Sequence, residues 1–204
     1  MFGGVKRVHP IKELNHYSER LWVLEEFHPF AKDLNEKIIH ESMNFEWMYH
    51  DHPSMGNIDG SRTNIKSWQT ANILVNAGKN VAILHDWVLR VLTTRRLAGG
   101  FNMYIWPMWM AKYTEEEYTI PHYHVPASYA FVYFVKASKG AAPLVFTTSG
   151  KKVKAEAGKV VIFDATVRHE VPKNKCDNRI VCAGNVTSWT EGFASPYDSA
   201  TINI

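Results

Sequence analysis

Ile120-Pro121-His122-Tyr123-His124 is the stretch on which the reading of this chain turns. In an extended segment alternate side chains share a face, so His122 and His124 point the same way if the stretch is a strand. Pro121 disfavours a mid-helix position. Two imidazoles on one face are a ready pair of metal ligands, and a third ligand from a distant strand completes a facial set. His169 is the candidate for that third ligand, 45 residues beyond His124 and far enough for several strands to intervene. Ten residues further, Arg179 lies in an apolar run. Its planar fork can bind both oxygens of a carboxylate.

The residues on either side of this stretch read mostly as strands. Ser128 to Lys136 contains the run Tyr129-Ala-Phe-Val-Tyr-Phe-Val135, apolar and rich in β-formers, as expected of a strand buried on both faces. Leu144 to Thr148, Lys151 to Glu156 and Lys159 to Asp164 are short strands with Gly150 and Gly158 at their turns. Arg168 to Val171 and Arg179 to Thr187 complete the series. Upstream, Thr114 to Tyr118 is an acidic turn, and Phe101 to Tyr113, rich in aromatics and methionine, forms one or two strands. Such even spacing predicts a barrel or jelly roll with helices packed outside.

The first hundred residues look different. Val81, Leu84, Val88, Leu92 and Arg95 recur at helical spacing and predict a helix over Asn80 to Leu97, with Arg95 and Arg96 in its last turn and Gly99-Gly100 ending it. Phe30, Leu34 and Ile38, with Phe45 beyond, make a second stripe that Pro29 opens. Ile11 to Glu26 has helix-like spacing without a clean period, and residues 50–67 read as a loop of turn formers, of which His50 to Lys66 is long enough to act as a lid. The triplet His50-Asp51-His52 has no third ligand at a natural spacing and is discounted as a metal site. The expected organisation is one domain over 1–204: a helical support part, 1–100, packed on a jelly-roll core, 101–204.

The chain has 204 residues, 46% hydrophobic and 21% charged, an ordinary globular balance. A net charge of +3 without a long basic run gives no strong nucleic-acid signal. Two cysteines, Cys176 and Cys182, make no disulfide framework and suggest a reducing compartment. No signal peptide or membrane-length apolar run is visible, so the expected location is the cytoplasm, or a host's cytoplasm for a phage protein.

The segment Gly158-Lys-Val-Val-Ile-Phe163, then His169-Glu-Val, then Arg179-Ile-Val, resembles the second half of a 2-oxoglutarate/Fe(II)-dependent dioxygenase. The likeness is nearest to small oxygenases of phages and marine bacteria related to the prolyl-hydroxylase-like branch, and covers about Tyr104 to Thr187. It implies a double-stranded β-helix, mainly β with flanking α. Fe(II) would be held by His122, His124 and His169, and Arg179 would anchor 2-oxoglutarate. It also implies hydroxylation of a substrate with release of succinate and CO2. His122-Tyr-His124 falls where that superfamily has His-x-Asp, so His124 stands in the aspartate position. Three readings follow: the three histidines bind the metal, His124 turns away and another group fills its place, or the site has lost its chemistry.

Other readings compete. Arg179 could pair with Asp164 or Asp177, and Tyr113 could hydrogen-bond the co-substrate or merely fill the core. A cupin-type metalloprotein also uses His-x-His, but supplies a glutamate soon after, and none occurs between Val125 and Ala155. A non-enzymatic barrel with a structural or interaction role is the third possibility. The substrate, a small molecule or a peptide, is not named by the sequence, although Trp106, Trp109, Tyr123 and Tyr129 could line its pocket.

Overall fold

The computed structural model describes residues 21–51, 53, 64–71, 77–95, 97 and 102–189. Among the described residues eleven strands and two helices follow one another as β1 Val23–Phe27, α1 Ala31–Ser42, β2 Trp47–His50, β3 Ile65–Thr70, α2 Lys79–Thr94, β4 Asn102–Tyr113, β5 Tyr118–His122, β6 Tyr129–Ala137, β7 Leu144–Phe146, β8 Lys152–Val153, β9 Lys159–Asp164, β10 His169–Val171 and β11 Arg179–Trp189. A larger antiparallel sheet runs β1-β9-β6-β11-β4-β3, and a smaller one runs β5-β10-β7-β8. β3 joins them. Its Trp68 and Gln69 pair with Lys112 and Ala111 of β4, and its Ile65 and Lys66 pair with Thr119 and Tyr118 of β5. The arrangement is a double-stranded β-helix, a jelly roll, with the helices outside the larger sheet.

Strict alternation divides the strands of the larger sheet between two cores. Phe131, Tyr133 and Val135 of β6, Val160 and Ile162 of β9, and Ile180 and Cys182 of β11 face the helices. Ala130, Val132 and Phe134, Val161 and Phe163, and Val181 and Ala183 face the smaller sheet, where Leu144, Phe146 and Val171 meet them. This is why β6 reads as an unbroken apolar run: both of its faces are buried.

The helices form because their apolar stripes have a sheet to cover. Leu34 and Ile38 of α1 and Val81, Leu84, Val88 and Leu92 of α2 are buried in the outer core. Neither N-cap residue supplies a capping side chain. Instead the Glu41 carboxylate of α1 accepts the backbone N–H of Asn80 at 3.0 Å and of Val81 at 3.2 Å, capping α2 from its neighbour. A Cβ on Gly78 would lie 2.5 Å from Glu41 Oε2, so a side chain there would push the capping carboxylate aside. Gly158, at φ +89° in the turn before β9, would bring a Cβ within 2.4 Å of the Ala31 Cβ at the start of α1.

Three sequence expectations are corrected here. Val23–Phe27, overlapping the end of the stretch given helix-like spacing, is a strand paired with β9, because the edge of β9 offers it a ladder that an isolated helix lacks. The 50–67 loop is shorter than expected: Ile65–Thr70 is β3, and His50 closes β2, which pairs with β3. α2 ends at Thr94 with Arg95 as its C-cap, where Arg95 pairs with Glu26 of β1 instead of finishing the helix. Arg96, Gly99-Gly100, Ile11 to Arg20 and most of the loop offered as a lid lie outside the described residues. Among the described residues no helix is long and apolar enough to cross a membrane, and both cysteines are free.

Candidate metal and carboxylate site

His122 is the last residue of β5, and β10 places His169 directly opposite it in register. His124 is positioned differently from the expected strand alternation. β5 stops at His122, and the chain then turns, with the Ala127 N–H bonded to the His124 carbonyl. The His124 N–H donates to the Ala165 carbonyl at 2.8 Å, and this bond to the β9–β10 turn keeps its ring beside the other two. His124 therefore does not turn away. The candidate ligand atoms of the three rings lie within 4.8 Å of one another, and His124 Nε2 is 3.3 Å from His169 Nε2. Two imidazole nitrogens at right angles on one divalent ion, each about 2.0–2.1 Å from it, would be about 3 Å apart.

The backbone selects the tautomers. His122 Nδ1 is 2.9 Å from the Ile120 carbonyl and His169 Nδ1 is 3.0 Å from the Val167 carbonyl. A carbonyl only accepts, so each Nδ1 carries the proton and each Nε2 keeps its lone pair for the cluster. Burial pulls His122 down to about 4 and His124 down to about 3, and holds His169 well below the usual imidazole value. The charge of His122 adds to burial in lowering the other two. All three are thus neutral at physiological pH, the form that binds a metal. Phe163 packs edge-on against His169 with ring centroids 4.6 Å apart.

Arg179 is fully buried in the same barrel. Its Nε donates to the Ala142 carbonyl at 3.0 Å, and its guanidinium lies 4.5 Å from the Tyr113 ring centroid and 5.4 Å from that of Phe134. Nη1 and Nη2 are buried with no hydrogen-bond partner among the described residues. The Arg179 pairings with Asp164 or Asp177 are therefore not made, and the Asp164 carboxylate instead accepts from the Thr166 N–H and hydroxyl. Tyr113, the other residue offered for co-substrate binding, is buried and shares a 2.7 Å hydrogen bond with Thr119. One cavity, about 550 Å³ including its open mouth, is lined by the three histidines, Tyr113, Thr119, Trp109 and Arg179. Tyr129, offered as a pocket residue, belongs to the helix-side core, with its hydroxyl donating to the Leu97 carbonyl.

Sequence reasoning missed Asn174. It is fully buried; its Oδ1 accepts the Ala142 N–H at 2.9 Å, and its Nδ2 donates to the Tyr113 and Thr114 carbonyls. It thereby fixes Ala142, the residue whose carbonyl holds Arg179 Nε. An asparagine between two lysines in a loop reads as a turn residue, and no local signal distinguishes it.

This chain matches no protein-family model and no curated protein sequence. Solved structures do resemble it. A Pseudomonas putida prolyl-4-hydroxylase aligns over 82% of this chain and 93% of its own, with TM-score 0.62 and 15% identity. A viral collagen prolyl hydroxylase from Paramecium Bursaria Chlorella virus-1, in complex with 2-oxoglutarate, aligns over 81% and 95%, with TM-score 0.60 and 12% identity. The fold is that of the 2-oxoglutarate/Fe(II) oxygenases. HygX from Streptomyces hygroscopicus, with nickel and 2-oxoglutarate bound, shares this oxygenase fold over 84% of each chain, with TM-score 0.58 and 10% identity.

Proposed function

We propose that this chain is an Fe(II)/2-oxoglutarate-dependent oxygenase that hydroxylates a substrate and releases succinate and CO2. One observation carries the reading: a buried guanidinium with two unpartnered nitrogens opens into the same cavity as three converging, neutral imidazoles. A buried cation is costly unless paired, so Nη1 and Nη2 call for an anion. A planar carboxylate matches their fork. The neutral donor set suits a first-row divalent ion. The similar folds whose structures hold 2-oxoglutarate, one of them with nickel, support the same choice.

His122, His124 and His169 would hold the ion through Nε2. Once bound with 2-oxoglutarate, it would supply the activation of dioxygen that couples oxidative decarboxylation to insertion of one oxygen atom into a substrate C–H bond. The chain's own residues prepare this chemistry. The Ile120 and Val167 carbonyls keep two Nε2 atoms unprotonated. Arg179, gripped by Ala142 and stacked between Tyr113 and Phe134, would take the far carboxylate of 2-oxoglutarate. The apolar walls formed by Leu144, Val171 and Val181 exclude water from that contact.

Anaerobic calorimetric titration with Fe(II) and then 2-oxoglutarate tests the reading. Native protein is expected to bind both, His169→Ala to lose the metal, and Arg179→Ala to keep the metal and lose only 2-oxoglutarate. Metal binding without 2-oxoglutarate binding would return the site to the cupin type. Binding of neither would leave a barrel without this chemistry.

A further inference from the structure

The charge balance of the cavity says something about the substrate. The commonest facial set for iron has two imidazoles and a carboxylate, which cancels one of the two positive charges of the ion. Here all three candidate ligands are imidazoles. Among the described residues no aspartate or glutamate lines the cavity; Asp177, two residues before Arg179, is exposed, and other acidic side chains near the site residues are committed or face elsewhere. Asp164 accepts from Thr166, Glu117 accepts the Thr114 N–H at 2.6 Å, and Glu170 alternates away from buried His169 in β10. Arg179 adds a further buried positive charge that is always protonated. Taking the proposed function as given, a divalent ion and Arg179 together exceed the two negative charges of 2-oxoglutarate by one.

An uncompensated charge in a buried, mostly apolar cavity is expensive, and at the histidine end the cavity wall is formed by Trp109 and His124, whose ring centroids are 6.0 Å apart. We propose that the substrate of this site is an anion, a carboxylate-bearing small molecule or peptide segment, whose negative charge rests at the histidine end of the cavity and supplies what an aspartate at position 124 would otherwise supply. Trp109 gives that substrate an apolar wall to lie against. Electrostatic complementarity of this kind selects partners as well as binding them, because a neutral or cationic analogue leaves the excess charge unmatched.

The test uses the full chain, anaerobic, carrying Co(II) and 2-oxoglutarate. Benzoate and benzamide are the probes: they share a ring and nearly a shape, and differ in charge. Binding is read from the visible absorption of cobalt and, independently, from the shift of the thermal unfolding midpoint. Benzoate is expected to bind at least about tenfold more tightly than benzamide, since a unit charge at close range in a partly screened site is worth that much or more. His124→Asp is expected to bring the two ligands close to parity, and the native comparison stands by itself if that variant does not fold. Equal binding of the two by native protein, a preference for benzamide, no saturable response to benzoate, or a preference that His124→Asp leaves unchanged would each overturn the proposal. Absence of any response when 2-oxoglutarate is first added would overturn the oxygenase reading and this one together, at an earlier and distinguishable step.

Discussion

The two faces of the larger sheet are built from the same strands and treat their polar groups in opposite ways. On the helix side, buried Tyr133 donates its hydroxyl to Asn35 Oδ1 at 2.7 Å, and the start of α2 is capped by Glu41. On the barrel side, buried Arg179 has two nitrogens without partners among the described residues, and three imidazole rings crowd together with their candidate ligand atoms within 4.8 Å of one another. A polar group buried for stability is satisfied inside the protein, while one left unsatisfied is waiting for something the protein does not contain. Neighbouring residues of β11 show the contrast: Ile180 and Cys182 pack under the helices, and Arg179, Val181 and Ala183 line the cavity.

The comparison breaks first if the two faces are not separable. His169→Ala should reduce metal affinity at least about 1000-fold, roughly 4 kcal/mol, since even partners outside the ligand set commonly cost 10–100-fold. Calorimetry would show this, and the unfolding midpoint of the metal-free protein should move little. Leu84→Ala should do the reverse. It deletes a fully buried side chain between α2 and the sheet and should cost about 2–5 kcal/mol in urea unfolding. Metal and 2-oxoglutarate affinities of the folded fraction should be unchanged. If Leu84→Ala weakened metal binding tenfold, the two cores would be coupled and the division into a supporting and a working face would fail.

Arg179→Met sharpens the contrast, because function and stability should move in opposite directions. Removing a buried cation with unpaired nitrogens should stabilise the ligand-free protein by about 1–3 kcal/mol, in the range found when buried charges give way to apolar residues. The same substitution should abolish 2-oxoglutarate binding. A destabilised Arg179→Met protein would mean that the guanidinium is held by partners that make it part of the core.

The working face was more legible in the sequence than the frame that closes it. His122, His169 and Arg179 stood out as candidates because barrel strands alternate and because such side chains are chemically rare in apolar runs. The strands β6, β9 and β11 were readable because double-sided burial leaves continuous apolar stretches. β3 was not: Ile65-Lys-Ser-Trp-Gln-Thr70 has no strong strand preference, and it becomes a strand by pairing with β2, β4 and β5. β1 was obscured for a similar reason, its Glu25 and Glu26 lying opposite Val161 and Val160 of β9. The place of His124 was anticipated for the wrong cause. Its backbone bond to Ala165, 41 residues away in sequence, does what strand alternation was expected to do.

The smallest effect concerns a histidine on the supporting face. His28 Nδ1 accepts the Phe30 N–H at 3.1 Å, closing the turn into α1, and its ring stands edge-on to Trp87 with centroids 4.8 Å apart. Burial lowers its pKa below the usual value near 6.5, and the accepting role of Nδ1 likewise requires the neutral ring. The unfolded chain therefore takes up this proton before the folded one does. Stability due to His28 is complete above about pH 6.5 and is lost as pH falls from there toward the lower folded value. The loss should be shallower than the ~1.4 kcal/mol per pH unit that a full proton difference gives. His28→Asn can keep the turn through its side-chain oxygen but cannot titrate. Urea unfolding of the native and His28→Asn proteins at pH 7.5 and 5 isolates the effect, because the other histidines titrate in both. Native protein should lose more stability than the variant between the two pH values. Equal losses would mean that the proton finds His28 as readily in the folded state as in the unfolded chain, and that this face too contains a polar group the fold leaves open to exchange.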